Sequence, residues 1–512
     1  MRLSKTQYSN TILNLVGSAA HAKVLPLIET LYADVLKNSP LDFTREIDDV
    51  QMSAYEAVAD KLYSLISSDQ ALAVSLAGSC ISNTPITPAC RDAFIDNVGL
   101  KAFRRPLTSE EKNRFATKIF SIGKNGAESV GWTVYALVGS PAFNLHLSLG
   151  SENLASTEYD VTPYEVASRL SYLIADSPPD TALFAAAAAG ELSSLEQLRP
   201  HVDRLFVTSA AKDKLNRFFT YWLDPKRYGK SAFSSEFLDG VNVDALNVEL
   251  DKELYEYINY IVFTKKGSFE DLITSRESFA RTPAAASIYG HAPVTGSEPQ
   301  LTSTERMGLL MRTPVLATEG NETHPILRGV KFRARFLCTP LGLPAGVLLN
   351  GDPTFGTEQA RIEMSTRKRT EGLTGSTSCM GCHKAINPMG FAFENFDNLG
   401  RVRQKEKVYS SAGKLVAEHF IDTNVATSFS SRSAVQHASD GAELISQMMN
   451  DSALPACFAK QAHDFYRLRE RAPEDDCLLS GMYDNLVIEP GKSVLDSLKA
   501  MVLHESIFRR RM

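Results

Sequence analysis

Apolar residues recur at intervals of three and four along most of the chain, the spacing that places them on one buried face of a helix. The period is clear in residues 50–66, 162–175, 244–263 and 441–469. No repeat with a period of roughly 20 to 50 residues is visible, so a solenoid is not expected. We therefore predict a mainly α-helical fold.

Local signals support individual helix starts. Thr162 and Glu165 have the spacing of a capping box, in which each side chain accepts a hydrogen bond from the backbone N–H of the other residue. The prolines that follow Ser177 are expected to end this helix. Asp180 is the expected cap of the next helix, which starts at Thr181.

One region between Arg401 and Ile421 departs from the helical period. Apolar and polar residues alternate there on both sides of a Ser-Ala-Gly sequence at 411–413. Such alternation around a turn-forming sequence is typical of two strands joined by a tight turn. It predicts a small β-hairpin.

At 512 residues the chain exceeds the size of one compact core, and about three to five domains are expected. Polar stretches rich in Gly, Pro, Ser and Thr at 150–162, 284–303 and 350–378 are the candidate boundaries. The predicted segments are three helical domains, a domain that carries the cysteine motif described below, and a hairpin with a C-terminal helical domain: 1–65, 66–150, 151–295, 296–404 and 405–512.

Composition narrows the class of protein. Hydrophobic residues make up 44% of the chain and charged residues 22%, which is ordinary for a globular protein. A formal net charge of −6 gives no electrostatic reason to expect a nucleic-acid partner. No run of about 18 apolar residues is present, so no membrane span is expected. The first residues lack the apolar core and the cleavage site of a secretory leader.

The cysteines allow local pairing. Of the seven in the chain, Cys80 and Cys90 are close in sequence, as are Cys457 and Cys477. We expect each of these two pairs to form a disulfide if the compartment is oxidising, with Cys338 left unpaired. Buried free thiols are the alternative.

Cys379, Cys382 and His383 form a Cys-x-x-Cys-His sequence, the attachment signature of a c-type haem. Two thiols three residues apart on a helical turn can reach the two vinyl groups of one porphyrin, and the adjacent histidine then faces the iron. With seven Cys and ten His in 512 residues, chance placement gives about 0.002 such sequences. The motif therefore predicts one covalent haem c.

Zinc binding and dithiol chemistry are the alternatives. A structural zinc site needs two further ligands, usually a second close pair, and Cys338, His419 and His437 are isolated. A thioredoxin-like pair expects a strand before the motif and a helix after it. Residues 375–378 are instead typical of a loop, and Pro388 is expected to end any following helix. Haem is favoured, and both alternatives stay open.

The sixth ligand of the haem iron is a separate question, because a protein ligand favours electron transfer whereas an open position permits peroxide or oxygen chemistry. Met389 follows His383 too closely for the chain to pass to the opposite face of the porphyrin. The candidates far enough along the chain to reach the opposite face are His419, His437, Met448 and Met449. For each of them, the alternative to ligation is a place in the core or on the surface.

Two charged groups are candidates for supporting roles. Arg104 and Arg105 could bind haem propionates or an acidic partner, although such a pair more often packs near a helix end. Glu394 and Asp397 lie three residues apart and could orient Arg401 or Arg403, a structural role that is favoured over a metal or catalytic one.

Residues 379–403, CMGCHKAINPMGFAFENFDNLGRVR, resemble the signature of the planctomycete-type cytochrome c-like proteins. These are large secreted proteins built from a fixed series of domains of unknown function. The resemblance covers nearly the whole chain in the order of that family. Further similar stretches are 2–17, 100–120, 168–192, 306–344 and 457–477.

The resemblance implies an exported haem protein in which Cys379 and Cys382 form the thioether bonds and His383 is the axial iron ligand. It implies no particular reaction, because the family has none firmly assigned.

Departures from the signature are modest. Asn387 stands where the family usually has Asp, Phe393 where it usually has Leu, and His324 where it usually has a small residue. The last is a potential ligand that the family pattern does not predict.

Three functions are compatible with the sequence. The first is electron transfer by an exported c-type haem protein to or from an unknown redox partner protein or small molecule. The second is a haem-dependent oxidoreductase, oxidative or peroxidase-like, and the third is a scaffold with a structural metal at the motif. The expected location is periplasmic or extracellular, although the leader is not visible in this sequence.

Overall fold

The computed structural model describes residues 1–33, 47–147, 150, 158–229, 232–341 and 353–511. Helices form most of it, which confirms the mainly α-helical class. In chain order the α-helices are α1 (Lys5–Ile28), α2 (Asp49–Ser67), α3 (Gln70–Ala77), α4 (Pro88–Phe103), α5 (Ser109–Arg114), α6 (Gly126–Val138), α7 (Pro141–Asn144), α8 (Pro163–Ala175), α9 (Thr181–Ala189), α10 (Leu195–Phe206), α11 (Ser209–Leu223), α12 (Ser235–Leu238), α13 (Val243–Asn259), α14 (Phe269–Thr274), α15 (Pro283–Tyr289), α16 (Thr313–Leu316), α17 (Pro325–Lys331), α18 (Glu358–Glu363), α19 (Thr366–Leu373), α20 (Thr377–Phe391), α21 (Gly441–Asn450), α22 (Ala453–Arg467), α23 (Asp476–Val487) and α24 (Val494–Val502).

The strands in the described part of the chain are short and pair in antiparallel twos. The predicted hairpin is confirmed, since Lys405 pairs with Phe420 and Gly413 takes a left-handed conformation (φ 75°) in the turn. The pairs are β1 (Glu158–Asp160) with β8 (Arg509–Arg511), β2 (Glu277–Ser278) with β3 (Gln300–Leu301), β4 (Lys405–Tyr409) with β5 (Leu415–Phe420), and β6 (Val425–Thr427) with β7 (Gln436–Ala438).

The helix signals around α8 and α9 are confirmed. Thr162 caps α8 and forms the capping box with Glu165. The helix ends at Ala175, and Asp180 caps α9 by accepting a hydrogen bond from the backbone N–H of Leu183. These interactions lie within one turn of sequence, which is why the sequence alone reveals them.

The polar stretches taken as boundaries contain helices. Most of helix α15 lies within 284–303, and α18 and α19 lie within 350–378, whereas 151–157 fall outside the described residues. Thr357 and Ser365 each accept a hydrogen bond at a helix start, so part of the polar composition of 350–378 comes from helix caps.

The described residues pack into two compact units, the first formed by Met1–Lys214, Asp464–Arg471 and Val502–Met512 and the second by Leu215–His463 and Ala472–Met501. Residues from the predicted segments 1–65 and 66–150 share one hydrophobic core in the first unit. The finer boundaries of the five predicted segments stay a prediction.

Helix α1 belongs to the core of the first unit. By length and composition alone it could cross a membrane. However, its Tyr8, Ile12 and Val24 side chains are fully buried against neighbouring helices. Core helices and signal sequences near an N-terminus share this composition, so the absence of a membrane span stays a prediction.

A buried polar network lies beneath α1. The Lys214 ammonium is 2.7 Å from Asp176 Oδ1, which also accepts a hydrogen bond from Gln7 Nε2. The Gln7 oxygen therefore faces His146, whose Nε2–H donates to it at 2.8 Å. Burial, aided by the nearby Arg104 charge, lowers the pKa of His146 to about 3, so the imidazole is neutral in the folded protein at physiological pH.

The second unit combines an aromatic core with buried arginines. Trp222 packs edge-on against Phe336 and Phe458 with ring centroids 5.5 and 5.0 Å away. Arg312 is fully buried, donates to the carboxylate of Glu253 and lies over a tyrosine ring. The buried charges of Arg312 and Glu253 thus neutralise each other in this interior.

Each compact unit contains one disulfide. Cys80 pairs with Cys90 as predicted. The predicted Cys457–Cys477 bond is wrong, because Cys457 pairs with Cys338, 119 residues earlier, at a Cα–Cα distance of 5.4 Å. Cys457 is buried in α22 where Cys338 meets it, whereas Cys477 is exposed near the start of α23. Proximity in sequence was therefore a poor guide to this pairing.

Candidate cofactor site

The Cys-x-x-Cys-His motif opens helix α20. Ser376 caps the helix, with its hydroxyl oxygen accepting a hydrogen bond from the backbone N–H of Cys379. The loop predicted over 375–378 is thus correct for its first two residues, whereas Thr377 and Ser378 are helical. The motif occupies the first two turns of a 15-residue helix.

The helix does not end at Pro388, as the sequence predicted, but continues to Phe391. Proline has no backbone N–H to donate, so one helical hydrogen bond is lost, and Pro388 lies in the last turn, where few residues follow. Met389, Gly390 and Phe391 are all buried, and their packing holds the last turn in place. Tertiary contacts override the local signal here.

The three motif side chains lie on one side of α20. Cys382 and His383 follow Cys379 by three and four residues, which is the spacing of neighbours on a helix face. Both thiols are free and partly exposed, and they are not bonded to each other. One helix face therefore presents two thiols and an imidazole together.

His383 is held by a neighbour on the next turn. Its Nδ1 lies 2.9 Å from Oδ1 of Asn387, and Nδ2 of Asn387 donates to Thr374 Oγ1 at 2.9 Å. Asn387 was noted in the sequence only as a departure from the family signature. The spacing of four residues, which makes side chains neighbours on a helix, was the available signal for this contact.

Helix α20 packs backbone to backbone against α17. A Cβ atom at Gly390 would lie 2.0 Å from the Pro325 carbonyl oxygen, and one at Gly329 would lie 2.1 Å from that of Ile386. Glycine is required at both positions because any side chain would force the helices apart. The contact fixes the position of α20, and with it the motif.

We expect Gly390→Ala to lower the free energy of unfolding by about 1–3 kcal/mol, because the added methyl group would meet a backbone carbonyl that cannot turn away. The matched control is Gly381→Ala in the same helix, where a Cβ would meet no atom within 4 Å. Alanine there should stabilise the helix by about 0.5–1 kcal/mol. Urea unfolding of both variants measures this, and equal effects would contradict the packing argument.

The second half of the signature builds a buried ion-pair network. Glu394 is 3% exposed and accepts hydrogen bonds from Arg328 at 3.1 Å, Arg403 at 3.3 Å and Thr323 at 2.6 Å. Burial lowers the pKa of Arg328, and the Glu394 charge opposes that shift. Phe393 packs its ring 4.8 Å from that of Phe332.

Asp397 and Asn398, which follow Glu394, form hydrogen bonds to neighbouring loops. Asp397 Oδ2 accepts a hydrogen bond from Arg401 at 2.7 Å, which supports the structural role predicted for the acidic residues. Asn398 accepts from the hydroxyl of Thr318 and donates to the carbonyls of Gly320 and Glu322. The signature thus has a partly exposed chemical half at 379–383 and a largely buried structural half at 386–400.

Arg104 and Arg105 are engaged within the first unit. Arg104 is 4% exposed, and Arg105 makes a two-pronged ion pair with Glu111 at 2.9 Å. The packing role is therefore supported over binding of a propionate or an acidic partner. The carbonyls that accept hydrogen bonds from Arg104 are those of Ala102, Ala142, Phe143 and Leu145.

The candidate sixth ligands are dispersed. His419 Nε2 donates to the Arg361 carbonyl at 3.1 Å, and His437 is exposed on β7. Met389 and Met448 are fully buried, while Met449 is partly exposed in α21. The side chain that hydrogen-bonds to His383 is the amide of Asn387, which is not an iron ligand.

His324 is the residue before α17, makes no side-chain capping hydrogen bond there and is exposed. The start of α17 contacts the last turn of α20 at Gly390, seven residues past His383 and about 10 Å along the helix axis. His324 therefore lies towards the opposite end of α20 from the motif.

The residues present bear on the zinc alternative as well. In the part of the chain that the structure describes, no group of three or more His, Cys, Asp or Glu side chains is placed to hold a metal ion. The described residues therefore add no ligand to the motif to complete a structural zinc site.

Comparison with known protein families points to the same class of protein. Residues 161–290 match the family described as a protein of unknown function (DUF1592), whose model is named PSD4. Residues 306–406, which include the motif, match a second family of unknown function (DUF1588), whose model is named PSCyt3. No curated protein and no solved structure matches the chain. The two matches support the planctomycete-type cytochrome c-like family, although together they cover less than half of the chain.

Proposed function

We propose that this protein is an exported c-type haem protein that transfers electrons to or from a separate partner. Cys379 and Cys382 would anchor one haem through thioether bonds, and His383 would be its axial ligand. The proposal rests on the match of residues 306–406 to a cytochrome c-like family model together with the geometry of helix α20.

One observation carries the proposal. Two free thiols and an imidazole lie on one helix face, although the cysteines at 80, 90, 338 and 457 all form disulfides. The imidazole also has its Nδ1 occupied by Asn387, so Nε2 is left to bind a metal. These residues fit a covalently attached haem.

The chain and the haem would contribute different parts of the function. When bound, haem supplies a one-electron redox couple. The helix holds its attachment residues, and Asn387 orients the ligand. Met380 is 40% exposed and Gly381 is also exposed, so the turn between the thiols faces solvent, where a redox partner protein or a small molecule has access.

Export is part of the proposal. The two disulfides are typical of an oxidising compartment such as the periplasm or the cell exterior. Their presence supports the periplasmic or extracellular location that the family resemblance implies.

We expect the full-length protein, exported from a host that attaches c-type haem, to retain one haem after denaturation and to show the reduced absorption bands of a c-type cytochrome. The variant Cys379→Ser/Cys382→Ser should lose covalent haem entirely, because both anchoring thiols are gone. The matched control is Cys477→Ser, which removes an exposed free thiol outside the motif and should leave attachment unchanged.

A wild-type protein that carries no haem, while a known c-type cytochrome in the same cells is loaded, would contradict the proposal. The ferric spectrum of the loaded protein separates two functions. A low-spin iron with two protein ligands supports electron transfer, and a high-spin iron supports a peroxidase-like or oxidative enzyme.

A further inference from the structure

Helix α20 carries a buried amide that the motif itself does not require. Asn387 is 5% exposed and bridges His383 on its own helix to Thr374, which follows helix α19. Thr374 is also buried. Because water has little access to either side chain, these hydrogen bonds are not readily exchanged for bonds to solvent.

The Thr374 hydroxyl fixes the directions of these hydrogen bonds. The Thr374 hydroxyl donates its only proton to the Thr370 carbonyl at 2.7 Å, so its oxygen accepts from Asn387. Asn387 must then direct its NH2 group to Thr374 and its carbonyl oxygen to His383. That oxygen only accepts, so the proton between the two residues belongs to His383 Nδ1.

The consequence concerns the other ring nitrogen. A neutral imidazole carries one N–H, and a proton on Nδ1 leaves Nε2 with a lone pair. An unconstrained neutral histidine can adopt either form, and the Nε2–H form has no lone pair at Nε2 for a metal.

We propose that Asn387, itself held by Thr374, is a positioning residue that presets His383 in the Nδ1–H form, with Nε2 free to ligate iron before any haem arrives. The identity of the ligand rests on the function proposed above. The tautomer does not, because it is a property of the haem-free chain.

The test is the tautomer of His383 in the full-length chain, exported without haem-attachment proteins and labelled with ¹⁵N-histidine. Two-bond correlations between ring protons and ring nitrogens at about pH 8, where an ordinary histidine is neutral, identify the protonated nitrogen. The signal is assigned by its loss in His383→Gln. We expect Nδ1–H in the wild type.

Four variants separate positioning from general structural damage. Asn387→Leu and Thr374→Val should move His383 towards the Nε2–H form, the first more completely. Asn387→Asp should keep the Nδ1–H form, because a carboxylate also accepts. Thr370→Val is the matched control, since the Thr370 side chain bonds only within α19 while its backbone carbonyl, which Thr374 uses, is retained.

Two results would overturn the inference: Nε2–H in the wild type, or the same tautomer in Asn387→Leu and Thr374→Val as in the wild type. Circular dichroism identifies a variant that fails to fold. If Asn387→Leu fails to fold, Asn387→Asp and Thr374→Val still test the inference.

A loaded protein provides an independent readout. Asn387→Asp should lower the reduction potential relative to wild type, because a charged acceptor strengthens the donor character of the imidazole, and Asn387→Leu should raise it. Absence of haem from the wild type would refute the proposed function without touching the tautomer. A haem-loaded protein whose reduction potential and His383 tautomer are the same in wild type and in the Asn387 variants would refute this inference and leave the proposed function intact.

Discussion

Replacing both Cys338 and Cys457 with serine is expected to lower the free energy of unfolding of the second unit by about 5 kcal/mol in the chain-entropy model. The bond joins residues 119 positions apart, so it removes much of the freedom of the unfolded chain. The Cys80–Cys90 bond spans only ten positions, and its removal should cost about 3 kcal/mol. The longer closure also encloses the whole Cys-x-x-Cys-His motif.

The two tryptophans of the chain allow this effect to be assigned to one unit. Trp132 belongs to the first unit and Trp222 to the core of the second, so Trp132→Phe leaves a reporter of the second unit alone. Denaturant unfolding followed by Trp222 fluorescence should show the full loss for Cys338→Ser/Cys457→Ser. The control is Cys80→Ser/Cys90→Ser. If the control lowered the free energy of unfolding reported by Trp222 as much as Cys338→Ser/Cys457→Ser does, the assignment of the effect to the second unit would be refuted.

Acid is expected to destabilise the first unit through His146. Its pKa is about 3 in the folded protein and about 6.5 when exposed, so below pH 6.5 the unfolded chain binds a proton that the folded chain does not. Stability from this group is therefore complete above pH 6.5 and is lost as pH falls towards 3. The loss is about 2 kcal/mol between pH 7 and 5, and about 4 kcal/mol by pH 3.

The variant His146→Gln isolates this contribution because glutamine does not titrate. Hydrogen exchange of peptides from α1 and α2 at pH 7 and pH 5 reports the stability of the first unit. The wild type should lose about 2 kcal/mol more than the variant over this interval. His437→Gln, which removes an exposed histidine on β7, serves as the control and should behave as the wild type does. An identical pH dependence in wild type and His146→Gln would rule out the mechanism.

Sequence patterns were reliable where the forces act within a turn or two. The capping box of Thr162 and Glu165, the cap at Asp180, the 405–420 hairpin and the short Cys80–Cys90 bond all involve residues close together in the chain. Polar composition by itself does not distinguish linkers from helix starts, because helix caps draw on the same Ser and Thr residues, as at Thr357 and Ser365.

The candidate site shows the same difference between local features, which the sequence reveals, and long-range contacts, which it does not. The motif residues Cys379, Cys382 and His383 could be chosen from the sequence, since their spacing alone places them on one helix face. The Asn387–Thr374 bridge could not, because Thr374 lies outside α20 and is 13 residues from Asn387, too far for helical spacing to predict the contact. The bond depends on how the end of α19 meets α20 in the folded chain.

Helix class, helix starts, the hairpin and the chemical identity of the motif follow from the order of residues, because periodicity, capping and spacing are local properties. The Cys338–Cys457 pairing, the close approach of α17 and α20 at Gly329 and Gly390, and the fixed hydrogen-bond direction at His383 were decided by tertiary structure. Each of these joins residues distant in sequence or depends on burial, and burial is known only once the chain has folded.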